Sequence, residues 1–464
     1  MSTLAPNSAA LQLTRTERFL CLFTEVRPGE GRTALLMFLN IFLVLCAYYF
    51  VKPLREGWIA VAHIEDLSKM EVKAYSSFGQ SLLLVGVVSA YGRLVDHLPR
   101  AKLIERATLF CMSNIVLFWF LQPDFFIRNL PITGIAFYLW VGMFGVFVVA
   151  QFWAYAADLY AEERGRRLIP LVAIGATAGA AFGSWMTEQL VGRGVVSNDY
   201  LLLVALVPLG LSIQLTHLVD ARGAVGAGRE ENASLPPSSS GDGALPLVFR
   251  NRYLLLVAAF TLLLNWVNTN GENLLFRVVQ EALEREAVLD GVGHGTALVE
   301  YTRAGTTGFY GDFYFWVNLT ALAFQSLVAS RLLRYGGFGP VMLALPVAAL
   351  VSYTSMAVVP LLAVVKPMKV LENATDYSIG NTARSVLWLP VAAELKYKAK
   401  PAIDTLFTRI GDGLAALTVM IGVQVLHAET ASFFGFTVAL VVAMLVLSVW
   451  LVWMHAGLDR SNAQ

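Results

Sequence analysis

The stretch YYFVKPLREGW, Tyr48 to Trp58, sets Tyr48, Lys52, Arg55 and Glu56 at i, i+4, i+7 and i+8, so on a helix they share one face. It ends an apolar run, TALLMFLNIFLVLCAYYFV, and leads into IAVA. A charge at the bilayer centre costs on the order of 2.5 to 3.5 kcal/mol on insertion scales, so three such side chains must face protein, water or the interface. One reading is a snorkelling cluster at a helix end, with Lys52 neutralising Glu56; the other is a binding site inside the membrane. Pro53 and the apolar continuation through Ala62 argue against a simple helix end. Further on, NWVNTNGENLLF puts Asn265, Asn268, Asn270 and Glu272 into what should be hydrocarbon, and Glu272 stands 216 residues after Glu56. Acids at matching positions of two halves suit a midplane site in a protein built from repeats. The plainer alternative is an extracellular helix end, because the following RVVQEALERE reads as a solvated amphipathic helix. Asp312 in FYGDFYFW, Arg384 in NTARSVLW, and Arg409 with Asp412 in TRIGDG also lie within or at the edges of apolar runs. Buried charges of both signs pair with one another or meet substrate, and spacing does not choose between these.

The elements that carry these residues follow from composition. Hydrophobic residues make up 57% of the 464-residue chain and charged residues 14%, with 28 Phe and 10 Trp, which excludes an ordinary soluble domain. A spanning helix needs roughly 20 mainly apolar residues. On that criterion the chain is an all-α polytopic membrane protein with twelve transmembrane helices in two six-helix bundles. The seventh and tenth apolar runs, 253–267 and 379–393, are short, so polar neighbours must belong to those helices. The expected layout is a cytoplasmic amphipathic segment at 1–32, bundles at 33–220 and 251–455, a linker at 221–250 and a tail at 456–464. The linker, ARGAVGAGREENASLPPSSSGDGALPL, is too rich in Gly, Ser, Pro and Ala to bury a core of its own. Lys and Arg are more numerous on the side of the termini, which places both termini in the cytoplasm.

The halves repeat. YAADLYAEERGRRLIPLVAIG matches VAAELKYKAKPAIDTLFTRIG, with Asp158 to Glu394, Arg164 to Lys400 and Gly175 to Gly411 all offset by 236 residues. Gly175, Gly179 and Gly183 form a small-xxx-small stripe, which points to close helix packing rather than to a phosphate cradle. No P-loop or dinucleotide fingerprint is present, the six His and three Cys lack metal spacing, and no nucleophile–base–acid set points to an enzyme. The expectation is therefore no cofactor, no metal and no nucleic acid. The first 30 residues contain no secretory signal, and an inner bacterial membrane is the simplest location.

YGRLVDHLPRAK resembles the loop between the second and third helices of major facilitator superfamily transporters, through Gly92, Asp96, Arg100 and Lys102. The resemblance implies two bundles rocking about a midplane site. It also makes Asp158 with Arg164 or Arg166, and Glu394 with Lys400, the expected cytoplasmic gate pairs. A more particular likeness joins FWAYAADLYAEERGRRLIPLVAIGATAG, RSVLWLPVAAELKYKAKPAID, KPLRE and FYGDF. In order along the chain these resemble motifs of the ATP/ADP translocases, the nucleotide transporters of plastids and intracellular bacteria, from about Arg18 to Leu426. That resemblance implies nucleotide exchange and makes Arg55 the counterpart of a first-helix lysine, Glu272 of a seventh-helix acid and Arg384 of the lysine before Glu-Met. Asp158 and Arg166 fall on the acid and base of the fourth-helix motif. Where the family has Leu-Gly-Lys-Ser-Gly, this chain has Ile-Gly-Asp-Gly, so Asp412 replaces a lysine and Arg409 lies one turn away. Ala157 likewise replaces an asparagine.

The expected substrate site is thus Lys52, Arg55, Glu272, Arg384 and Arg409, with Glu56, Asp312 and Asp412 for coupling or charge pairing. The leading function is a monomeric secondary transporter in the lipid bilayer that exchanges nucleotides or a related small anionic metabolite by alternating access. A proton-coupled permease for another solute and a non-transporting receptor or scaffold are the alternatives.

Overall fold

The computed structural model describes residues 14–21, 24–95, 100–122, 131–160, 162–221, 244–293 and 295–462. After a short helix α1 (Arg15–Leu20), the first half consists of α2 (Gly31–Val61), α3 (Lys69–Val95), α4 (Arg100–Phe120), α5 (Pro131–Leu159), α6 (Glu162–Thr187) and α7 (Asn198–Asp220). A π-helical turn, Glu188–Gly192, extends α6. A short α8 (Ala244–Arg250) opens the second half and orders the last residues of the expected linker; residues 222–243 lie outside the described residues. Then follow α9 (Arg252–Leu289), α10 (Thr296–Phe324) running through a π turn into α11 (Ser330–Gly336), and α12 (Phe338–Val358). Next come α13 (Leu362–Thr375), joined by a π turn at Asp376–Gly380 to α14 (Asn381–Leu387), and α15 (Ala393–Ala402). A π turn at Ile403–Phe407 leads on to α16 (Thr408–Met420), and α17 (Thr430–Asn462) closes the chain.

The described residues therefore form two sets of six long rods and contain no strand. Among the described residues, ten helices are long and apolar enough to cross a membrane by length and composition. The other two rods, α3 and α13–α14, carry Lys69, Glu71 and Lys73, and Lys366, Lys369, Glu372 and Asp376. Two expected spans change. The run 253–267 belongs to the 38-residue α9, so Glu272 sits mid-helix and not at an extracellular end. The run 379–393 is replaced by a rod over 362–387, because KPMKVLE is helix with Lys369 and Glu372 buried rather than loop, while residues 388–391 form the turn that follows.

Local signals start these helices. Ser68 and Glu71 form a capping box at α3: the Ser68 amide donates to Glu71 Oε2 at 2.9 Å and the Glu71 amide to Ser68 Oγ at 3.3 Å. Asn251 caps α9 by accepting from the amides of Tyr253 and Leu254. Each half has its own apolar core, one built from Leu20 to Val219 and the other mainly from Val248 to Leu451.

The glycine stripe seats α6 on α2. A methyl at Gly175, Gly179 or Gly183 would come within 2.7, 2.2 and 2.6 Å of the carbonyl oxygens of Phe38, Phe42 and Cys46. Gly411, the repeat partner of Gly175, packs on α9 in the same manner: a methyl there would come within 2.8 Å of the Leu262 carbonyl oxygen. Across the halves, the end of the bundle remote from the termini is tied together. Lys69 pairs with Glu284 at 2.9 Å, Arg303 with Asp199 at 3.2 Å, and Gln424 donates to Glu71 at 2.8 Å.

Candidate functional site

Because α2 continues unbroken past Pro53 to Val61, Lys52, Arg55 and Glu56 project from its interior. Glu56 is almost wholly buried and serves two cations. Arg55 donates through Nε at 3.0 Å and Nη2 at 2.7 Å to Oε1, and Lys73 of α3 brings its Nζ to 2.9 Å from Oε2. That second contact is an ion pair by distance, without an aligned hydrogen bond to Oε2. Lys73 also donates to the Glu272 carbonyl at 3.2 Å and lies 4.6 Å from the Phe276 ring centroid. The Arg55 guanidinium covers Tyr138 of α5 at 4.5 Å.

A mirror arrangement occupies the second half, where one cation serves two acids. Lys369 of α13 is fully buried, ion-pairs with Glu372, and lies 3.9 Å from Glu272 Oε1. Asn373 Nδ2 donates to the same Glu272 oxygen at 2.8 Å. Gly271 makes this possible: a methyl there would stand 1.9 Å from the Tyr353 hydroxyl and 2.6 Å from Lys369 Nζ.

Lys52 differs from these cations. Its ammonium lies 3.9 Å from the Tyr314 ring centroid, 5.0 Å from Tyr49 and 6.0 Å from Tyr48, and it forms no ion pair with a carboxylate among the described residues. The central set is therefore four cations, Lys52, Arg55, Lys73 and Lys369, against three acids, Glu56, Glu272 and Glu372. The surplus charge is the one held by aromatic rings.

The other expected residues lie elsewhere. Arg409 pairs with Asp412 at 3.1 Å, and Asp412 accepts from Ser81 of α3 at 2.6 Å and Thr269 of α9 at 2.9 Å. This node joins the halves, with the Arg409 guanidinium held against Asp412 and Ser81. Asp312 pairs with Lys366. Arg384 pairs with Asp376 at 2.6 Å and lines a cavity of about 380 Å³ with Lys400, Asp404, Asn265 and Asn268.

Of the expected gate residues, Arg164 reaches Glu30 at 3.0 Å, and Arg167 meets the same carboxylate at 3.0 Å. Gly92 is on α3 and Asp158 on α5. Asp96 and the side chains of Arg100, Arg166 and Glu394 lie outside the described residues. The charges that sequence reasoning missed are Lys73, Lys369 and Glu372. Their signal was Lys369 and Glu372 at i, i+3 beside an apolar run, and Lys73 at the border of the second span.

A larger cavity, about 640 Å³, lies between the halves in the part of the bundle nearer the termini. It is bounded by Tyr49 of α2, Thr177 of α6, Asn318 and Gln325 of α10 and the turn after it, and Tyr377 and Asn381 beyond α13. With a far end tied shut and cavities toward the termini, the arrangement can hold a solute between two bundles.

Comparison with known proteins agrees with that architecture. Residues 334–460 match the TLC ATP/ADP transporter family. The TLC match covers RSVLWLPVAAELKYKAKPAID, the segment most particular in its resemblance to the ATP/ADP translocases. The chain is similar in fold to the nucleoside transporter NupG, at 14% identity and TM-score 0.54 over 90% of this chain and 98% of that one. It is likewise similar to a peptide transporter POT solved with sulfate, at 13% identity and TM-score 0.57 over 96% and 99%. The human organic anion transporter MFSD10 gives 13% identity and TM-score 0.55 over 91% and 100%. No curated protein matches the chain. The chain thus shares the helical fold of these membrane transporters, and its residues 334–460 match a transporter family.

Proposed function

We propose that this protein is a secondary transporter that exchanges nucleotides, or a related anionic metabolite, by alternating access, with Lys52 as the anchor for the anion. The observation that carries the reading is the Lys52 ammonium, held by three tyrosine rings in a cluster where every other cation is ion-paired with a carboxylate. An uncompensated charge in the membrane is costly, and aromatic contact returns only about 0.5 to 2 kcal/mol of it. An anionic solute completes the balance. The TLC match over residues 334–460 supports a nucleotide as that solute. In this reading a monomer works in the bacterial inner membrane with both termini in the cytoplasm.

The test is counterflow in proteoliposomes preloaded with an unlabelled nucleotide panel, measuring entry of labelled ADP. Preloading with ATP or ADP is expected to accelerate entry over empty vesicles. Equal entry into loaded and empty vesicles would remove exchange, and no entry of any nucleotide would remove the substrate class.

A further inference from the structure

The 640 Å³ cavity between the halves is within the 300 to 1,000 Å³ range of small-molecule sites, and among the described residues its lining contains no charged side chain. It offers instead an aromatic ring and amides. Tyr377 is 39% exposed although it sits deep in a membrane bundle, and it projects from the π turn Asp376–Gly380. Facing it from α10 is a second π turn, Gln325–Ala329, which contributes Gln325 and Ser326. π turns interrupt the regular hydrogen-bond ladder and occur frequently at functional sites; here two of them border one cavity. The Gln325 amide is exposed and makes no hydrogen bond among the described residues, whereas Asn318 and Asn381 are engaged with Tyr314 and Tyr377 carbonyls. A free amide beside an open aromatic ring is the chemistry that reads a planar base. The ring stacks on its face, and the amide pairs with a donor–acceptor edge such as that of adenine. The cavity also adjoins the anion anchor, because Tyr49, one of its lining residues, is one of the rings under Lys52.

We infer that this cavity is the subsite for the base and sugar of the transported nucleotide, with Tyr377 stacking on the base and Gln325 reading its edge. The inference rests on the nucleotide reading above and specifies which residues select the base. Charge recognition and base recognition are then separate parts of one site.

The test measures binding of ADP, GDP, adenosine and inorganic pyrophosphate to the purified full-length protein by calorimetry, for wild type, Tyr377→Leu, Tyr377→Phe and Gln325→Leu. Tyr377→Leu is expected to weaken ADP and adenosine by the same factor, on the order of tenfold or more for one lost stack, and to leave pyrophosphate unchanged. Tyr377→Phe keeps the ring and is expected to bind as wild type, which guards against a folding defect in the leucine variant. Gln325→Leu is expected to narrow the ratio of ADP to GDP affinity. Equal weakening of pyrophosphate by Tyr377→Leu, or unchanged ADP binding, would overturn the subsite. If wild type binds pyrophosphate but binds neither adenosine nor ADP more tightly, the base subsite fails while an anion site stands. If it binds none of the four, the nucleotide reading fails with it.

Discussion

Lys52 and Glu56 lie one helical turn apart, yet their removal should have opposite consequences. Glu56→Gln leaves Arg55 and Lys73 facing a neutral amide at a position only 1% exposed. Breaking a buried ion pair from one side costs about 3 to 5 kcal/mol. At about 2 to 4 °C per kcal/mol for a bundle of this size, the melting temperature should fall on the order of 10 °C. Lys52→Gln removes no ion pair. It forfeits ring contacts worth about 0.5 to 2 kcal/mol, while it relieves an uncompensated intramembrane charge costing on the order of 2.5 to 3.5 kcal/mol. Stability should therefore hold or rise, while uptake of labelled ADP is lost. The measurement is thermal unfolding of the purified full chain beside uptake in proteoliposomes at matched protein density. If Lys52→Gln destabilises as much as Glu56→Gln, the ammonium is a structural group. If Lys52→Gln transports as wild type, the anchor is elsewhere.

The glycine under the second charge cluster gives another expectation: Gly271→Ala drives a methyl into Tyr353 and Lys369 and should cost about 1 to 3 kcal/mol by overpacking, read as a lower melting temperature; an unchanged one would mean that Lys369 can sit elsewhere. At the node between halves, Asp412→Lys puts a second cation beside Arg409 and removes the acceptor of Ser81 and Thr269. It should destabilise by about 3 to 5 kcal/mol, and the charge-reversed pair Asp412→Lys with Arg409→Asp should recover part of the loss; no recovery would argue against pairing. Outside the membrane, burial pushes the Glu30 carboxyl up, but the Arg167 hydrogen bond, the Arg27 amide and the charges of Arg167 and Arg164 outweigh it and hold it below its ordinary 4.5. A depressed carboxyl stabilises above its unfolded pKa and loses that contribution as pH falls through the folded value. The stability gap between wild type and Glu30→Gln should be full near neutrality and shrink below 4.5; a gap independent of pH would show that Glu30 acts by shape alone.

What the sequence disclosed and what it concealed divide along a physical line. Apolar runs report the average environment of a helix, so eleven of the twelve rods announce themselves, and the helix face through Lys52, Arg55 and Glu56 follows from period alone. The same averaging conceals α13, where Lys366, Lys369, Glu372 and Asp376 depress the hydropathy of a rod that is nevertheless packed among helices. Their charges are tolerated because Glu272, from a helix some hundred residues earlier, and Glu372 both meet Lys369. Compensation of that kind is a property of pairs distant in sequence, and no local window contains it. Asp412 illustrates the converse: read alone, it is an acid where the ATP/ADP translocases have a lysine, and it argues against an anionic solute. Placed beside Arg409, Ser81 and Thr269, it leaves the charge balance of the cavity untouched. A count of charged residues along a membrane chain therefore bounds the number of possible sites, but the sign of a site is set by whichever charge is left after pairing, and here that is Lys52.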